Sequence, residues 1–302
     1  MNAAQPTPPA LSKRRAWWLA ARPFSLPASI VPVLVGSAAA ADEEFRPLLF
    51  VLVLAGSLLI HAATNFATDF FDFVDGIQPG ATLGGVIRGG LLKAEDVHRA
   101  SIATFAAGSL CGLVIVAVVG WPILAVGLAS VLAGYFYTAS PIKYGRRGLG
   151  EVMVFLFMGT LMVMASSYVQ VEAWTSRSFY ASLPVGLLVA NILHANNLRD
   201  IVNDRARKKV TIATLIDRPA ADVLLYALVI GAFAVVAVCV ALGAMPLSCL
   251  LVLLAVPSAL GHLRALAARE AAALNPLVRT AARLHLHFGL LLAVGYLIDA
   301  IA

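Results

Sequence analysis

Nine windows of about 20 mostly apolar residues dominate this chain, at 23–41, 47–68, 101–119, 121–138, 149–169, 180–198, 221–241, 244–263 and 281–301. Such runs leave few folds open. In hydrocarbon each backbone N–H and C=O must be satisfied within its own segment, so each window reads as a membrane helix and the fold class is all-α. Composition agrees: 61% of the 302 residues are hydrophobic and 13% are charged, against roughly 45–50% and about 25% in soluble domains. That excess of apolar side chains excludes a soluble core, a disordered chain, a coiled coil and a secreted disulfide scaffold. The expectation is a polytopic membrane protein with nine helices bundled around a central cavity. The second and sixth windows are the least regular, because their C-terminal ends turn polar.

The basic residues give the chain a direction. With the N-terminus cytoplasmic, all Lys and Arg except Arg46 and Arg177 fall on the inner side, as the positive-inside rule requires. The division expected is an N-terminal cytoplasmic segment over 1–22 and a transmembrane domain over 23–302, with inner acidic loops at 69–100 and 199–220. Residues Met1 to Ala10 are Pro/Ala-rich and read as disordered, while Lys13-Arg14-Arg15 leading into Trp17-Trp18 reads as an interfacial anchor rather than a cleaved signal. The formal charge of +6 belongs with anionic lipid headgroups, not nucleic acid. Cys111, Cys239 and Cys249 lie in apolar runs and read as reduced, buried residues.

Most carboxylates outside the outer loop Asp42-Glu43-Glu44 gather in two segments. One runs from His61 through Asn65, Thr68, Asp69 and Asp72 to Asp75; the other runs from His194 through Asn197, Arg199 and Asp200 to Asp204. Each ends an apolar window on the inner side, and each orders His, Asn and two Asp alike, as an internal duplication would. Asp69 and Asp72 are i,i+3 and Asp200 and Asp204 are i,i+4, so each pair shares a helix face. Carboxylates so close repel one another, and at a membrane boundary their charge is costly. A hard divalent ion answers both costs, because Mg²⁺ takes oxygen ligands and bridges carboxylates to phosphates. For one segment alone, solvated loop charges or partners for Arg serve as well; two matching segments on one face favour Mg²⁺ around a diphosphate.

Cations of the kind that grip phosphate surround these segments. Arg88 sits in the Gly-rich stretch Gly84-Gly85-Val86-Ile87-Arg88-Gly89-Gly90, which lacks the ending of a nucleotide loop and reads as a flexible cover. Lys143, Arg146 and Arg147 occupy the third inner loop, and Arg199, Arg207, Lys208 and Lys209 the fourth. Many of them serve the topology rule alone, but Lys143 and Arg199 adjoin span ends. Glu151 is expected to salt-bridge within the third inner loop, and His61 and His194 to be neutral, hydrogen-bonded helix histidines.

With these residues in view, the chain resembles the UbiA superfamily of intramembrane aromatic prenyltransferases over nearly its whole length. The resemblance is carried by Asn197-Leu198-Arg199-Asp200-Ile201-Val202-Asn203-Asp204 with Lys209-Val210-Thr211, by Tyr137-Thr138-Ala139-Ser140-Pro141-Ile142-Lys143-Tyr144 running into Gly148-Leu149-Gly150-Glu151, and by Asn65 through Asp72. Thr68 stands where many relatives have a second Asn, which leaves Asn65 as the amide of the first motif. Within the superfamily the chain is most similar to the 1,4-dihydroxy-2-naphthoate polyprenyltransferases of menaquinone biosynthesis.

The resemblance implies Mg²⁺-dependent transfer of a polyprenyl group from polyprenyl diphosphate to an aromatic acid in the inner membrane, near its cytoplasmic face. It assigns Asp69, Asp72, Asp200 and Asp204 to the metal, with Asn65 and Asn197 as neutral oxygen donors. Arg88, Lys143, Arg199 and Lys209 would hold the diphosphate, and Lys143, Arg199 and Tyr137 would act at the reacting carbon. Another acceptor, such as 4-hydroxybenzoate, remains open. From a different class, an ion-coupled transporter tends to place its charges at the bilayer midplane, whereas these crowd one interface.

Overall fold

A computed structural model describes residues 12–76, 85–267 and 275–302. The expected disordered segment Met1 to Ala10 and Gly84 of the Gly-rich stretch lie outside those residues. The described residues are helical, with one isolated parallel bridge between Arg147 and Val210. A short α1 (Lys13–Ala20) starts at an N-cap Ser12 that accepts from the Arg15 N–H. On α1, Trp17 packs edge-on against Phe66, while Trp18 stays exposed. The chain then bends by 48° into α2 (Pro27–Ala39).

The long helices follow: α3 (Pro47–Val74), α5 (Ala94–Val119), α9 (Ser176–Arg199), α11 (Ile212–Ala241) and α13 (Asn275–Ile301). Between them lie α4 (Gly85–Arg88), α6 (Trp121–Phe136), α10 (Ile201–Ala206) and α12 (Val256–Ala267), the last entered through a 3₁₀ run at Leu247–Ala255. One further span, Gly150–Val171, is built from α7 (Gly150–Val154), a π-helical stretch Phe155–Leu161 and α8 (Met162–Val171).

Among the described residues, seven helices are long and apolar enough to cross a membrane, and the bent pair Lys13–Ser25 with Pro27–Ala39 makes an eighth. The remaining window is α6, an apolar helix of 16 residues, so helix length bears out seven or eight of the nine expected crossings. The two least regular windows became two of the longer helices. Their polar ends continue the helix because those side chains line the interior of the protein.

One helix is unlike the rest. In α9, 72% of the apolar window is buried, against 17–44% in the other long spans. It is the pillar of the bundle, packed by α2, α11, α13 and the π-helical stretch, and its Leu188, Val189, Ala195 and Leu198 belong to the largest apolar core. The approach to the π-helical stretch is close: a Cβ at Gly159 would lie 2.3 Å from the Gly186 Cα. Outward faces carry exposed Leu48, Val51, Leu110, Val223 and Leu254, as lipid contact demands.

Charge is divided between the two ends of the bundle. Arg46 pairs with Glu44 and Glu172, and Arg177 with Asp42 and Asp299, at the end where α3 begins. All the aspartates of the two acidic segments lie at the other. At about 1.5 Å per residue, the 28 residues of α3 reach about 42 Å, past a hydrocarbon core of about 30 Å, which carries Asp72 to a boundary.

Candidate active site

A cavity of about 420 Å³ opens between α2, α3, α5, α6, the Gly150–Val171 span and α9. Its deep part is apolar and its mouth is polar. Leu52, Gly56, Gly108, Gly112, Ile115 and Ile123 line the depth, whereas Asn65, Asp72, Asn197, Asp200 and Asp204 line the mouth with Arg22, Arg146, Arg199, Arg207 and Lys209. The two segments that match in sequence thus face one space, one from α3 and one from the α9–α10 junction.

Each of the four aspartates already holds a cation. Arg22 Nη2 donates to Asp69 Oδ1. Arg146 forks, with Nη2 on Asp72 Oδ1 and Nη1 on Asp75 Oδ2. Arg199 grips Asp200 with two bonds of 2.9 and 2.6 Å, and Lys209 Nζ donates to Asp204 Oδ2 at 3.0 Å. Repulsion within each segment is therefore answered by the chain's own cations. Asp69 is buried, and its Oδ2 has no hydrogen-bond partner. Burial works to raise Asp75, but hydrogen bonds from Lys143 and Arg146 outweigh it and hold this carboxyl below the ordinary range. Asp204 goes the other way: burial pushes it above the ordinary range, with Lys209 offsetting part of the shift.

The residues singled out from the sequence fall in three places. Asp72, Asp200, Asp204, Asn65, Asn197, Tyr137, Arg199 and Lys209 line the cavity. Asp69 does not itself line the cavity; it is held by Arg22, which does. Lys143 turns to Asp75 at 2.7 Å, and Arg88 is exposed at the end of α4; neither lines the cavity. Tyr137 meets the ring of Tyr144 edge-on at 5.4 Å. Gly145 lies against it so closely that a Cβ there would be 2.6 Å from the ring, so glycine is what lets this loop press Tyr137 into place.

Both histidines are hydrogen-bonded, as expected, but differently. His61 lines the cavity, with Nδ1 2.8 Å from Ser29 Oγ and Nε2 3.1 Å from Ser25 Oγ. His194 is fully buried against Glu151, so Glu151 pairs with α9 rather than within its own loop. Sequence reading passed over Arg22 and the serines of α2 and its entry. Only charge next to a span end marked Arg22, a signal that topology residues share.

A model described as the UbiA prenyltransferase family matches residues 29–286. The chain belongs to that family. It is therefore a prenyltransferase. Among curated UbiA relatives, the 1,4-dihydroxy-2-naphthoate octaprenyltransferase of Bacillus subtilis is 30% identical over 93% of this chain and 92% of its own length. The Escherichia coli protein of the same name is 35% identical over 67% and 68%. Among solved structures, a UbiA homolog from Archaeoglobus fulgidus bound to GPP and Mg²⁺ superposes with a TM-score of 0.63 at 18% identity, covering 92% of this chain and 99% of that one. The apo UbiA homolog from Aeropyrum pernix gives 0.63 at 16% identity, covering 96% and 99%. These likenesses establish the fold.

Proposed function

We propose that this UbiA-family enzyme transfers a polyprenyl group from polyprenyl diphosphate to 1,4-dihydroxy-2-naphthoate, giving demethylmenaquinone in its quinol form with loss of CO₂ and diphosphate. The observation that carries the reading is the shape of one cavity: an apolar channel suited to an isoprenoid, capped by two aspartate segments and their cations. The octaprenyltransferase relatives support the naphthoate acceptor, and the neighbour bound to GPP and Mg²⁺ supports the metal.

The residues fit such an ion. The donor set is all oxygen, and Asp69 keeps a buried oxygen without a partner; among the described residues no three His, Cys, Asp or Glu are gathered closely enough to hold a metal by themselves, so phosphate oxygens would have to complete the coordination. Asp69, Asp72, Asp200 and Asp204 would hold Mg²⁺, with the amide oxygens of Asn65 and Asn197 beside them. When bound, Mg²⁺ supplies positive charge to the diphosphate as its C–O bond weakens.

The chain's own cations do the rest at the mouth. Arg199 and Lys209 meet the departing diphosphate oxygens, where preorganised charge is worth most. Arg146 serves from the other wall, and Lys143 acts on it through their shared partner Asp75. Tyr137 offers its ring face to the allylic cation, and the apolar walls keep water from it. The wall also keeps the naphthoate ring carbon next to that cation for attack. By the positive-inside rule this mouth faces the cytoplasm.

The test is to incubate membranes carrying the protein with Mg²⁺, a labelled polyprenyl diphosphate and a panel of aromatic acids, and to weigh the product. Prenylated naphthoquinol lacking the carboxylate is expected. Transfer only to another acid would overturn the acceptor, and no transfer to any would overturn the reaction.

A further inference from the structure

Glu151 is a buried carboxylate that the proposed chemistry leaves unused, and it adjoins the mouth. It is 5% exposed at the start of α7. Its Oε1 accepts from Asn197 Nδ2 at 3.0 Å and lies 3.1 Å from His194 Nδ1. His194 Nε2 in turn lies 2.8 Å from the carbonyl oxygen of Ala221 on α11. Chemistry fixes the orientations, because a carbonyl only accepts and Glu151 Oε1 takes the Asn197 amide nitrogen. Hence His194 Nε2 carries a proton and donates it to Ala221. Asn197 must turn its nitrogen toward Glu151 and its oxygen away.

The consequence falls on the cavity. Asn197 lines it, its Nδ2 is committed to Glu151, and Asp200 follows at i+3 on the same helix face. The first segment reaches the same result by another route. Asn65 also lines the cavity, and its Nδ2 donates to the backbone carbonyl of Ala21 at 3.1 Å, which again leaves the amide oxygen over. A backbone oxygen does on α3 what Glu151 does on α9. Glu151 Oε2 is buried with no partner, so this carboxylate does not complete a satisfied structural network.

We propose that Glu151, held by His194, is a positioning residue that fixes the amide of Asn197 so that its oxygen faces the metal–diphosphate group. The inference rests on the reading of this cavity as a metal–prenyl diphosphate site.

The test uses the full chain in nanodiscs, with Mn²⁺ as a paramagnetic probe and inorganic pyrophosphate as the ligand, followed by titration of free Mn²⁺. Glu151→Leu keeps the bulk and removes the acceptor, and is expected to weaken Mn²⁺ binding about 10–100-fold, the scale for residues that orient metal ligands. Glu151→Gln keeps an amide oxygen at the Oε1 position to accept from Asn197, and should retain clearly more Mn²⁺ affinity than Glu151→Leu. In an Asn197→Ala background, Glu151→Leu should add nothing further.

Wild-type affinity in Glu151→Leu, an equal loss in Glu151→Gln, or an additive double variant would overturn the proposal. Failure of the wild type itself to bind Mn²⁺ with pyrophosphate would instead sink the diphosphate reading beneath it. If Glu151→Leu is not recovered folded, the side-chain amide of Asn197 in the wild type answers by ¹⁵N NMR. One exchange-protected amide proton should persist when Mg²⁺ and pyrophosphate are added, and its loss would overturn the proposal.

Discussion

The two acidic segments look like copies in sequence and are wired in opposite ways. On α3 the helix runs unbroken through Asp69 and Asp72, and its carboxylates find cations from distant parts of the chain: Arg22 is 47 positions from Asp69, and Arg146 is 74 from Asp72. On the other side the helix breaks at Asp200, which ends α9 and begins α10. There the cations are neighbours, with Arg199 one position from Asp200 and Lys209 five from Asp204. The first segment is neutralised only once the tertiary structure has formed, while the second largely carries its own countercharge. A duplicated motif thus brings both segments to one cavity without fixing how the charge is supported.

The largest effect asks whether the segments are equal in use despite this difference. Asp72→Ala and Asp200→Ala should each cut turnover by about 10²–10³-fold or more, the scale for losing a preorganised electrostatic contact, with the protein still folded in the membrane. An assay of prenyl transfer beside a thermal melt decides it. Full activity in either variant would mean that only one segment handles the diphosphate.

Next comes a contrast between the cations. Arg146→Met removes the cation of Asp72 and one of the two on Asp75, where Lys143 stays, and leaving a partly buried acceptor unpaired costs about 1–3 kcal/mol. Arg199→Met should cost less stability, because Arg199 and Asp200 stay adjacent in the unfolded chain and part of the pairing survives there. Melting temperatures of the metal-free protein should fall further for Arg146→Met. The reverse order would break the distinction between tertiary and local neutralisation.

These contrasts also mark what could be read from sequence. The apolar windows located the helices closely; 180–198, for example, lies within α9, at Ser176–Arg199. The windows blurred where polar residues entered, at Thr64–Asp72 and Asn196–Arg199, because those side chains serve the cavity rather than lipid. The aspartates and asparagines were legible because their spacing is local and repeated. Arg22 and Glu151 were not legible as site partners. Arg22 reaches Asp69 and Glu151 reaches Asn197 across 47 and 46 positions, and no helical period encodes such a contact. Lys143 shows the same limit, since adjacency to a span end could not say that it would turn to Asp75.

A smaller effect belongs to the second segment alone. Thr211 caps α11 with a reciprocal box, its Oγ1 accepting from the Thr214 N–H at 3.2 Å while the Thr214 hydroxyl takes the Thr211 N–H at 2.8 Å. This cap anchors the loop that carries Lys209 and its bond to Asp204. Thr211→Ala should cost about 1 kcal/mol, and faster amide exchange across 205–212 than across 70–75 would locate the damage on that side.

The mildest test is pH, and its sign differs between the segments. Asp75 is held below the ordinary carboxylate value, so its contribution to stability is present above about 3.9 and is lost as pH falls through its lower folded value. Asp204 is pushed above that value, so its contribution is complete below about 3.9 and fades as pH rises through its higher folded value. For chelator-treated protein, acidification from neutral pH should first recover the Asp204 contribution and then, further down, lose that of Asp75. Asp204→Asn should flatten the upper limb of the melting-temperature profile, and Asp75→Asn the lower. If both substitutions flatten the same limb, the two segments share one electrostatic environment, and their different wiring has no thermodynamic consequence.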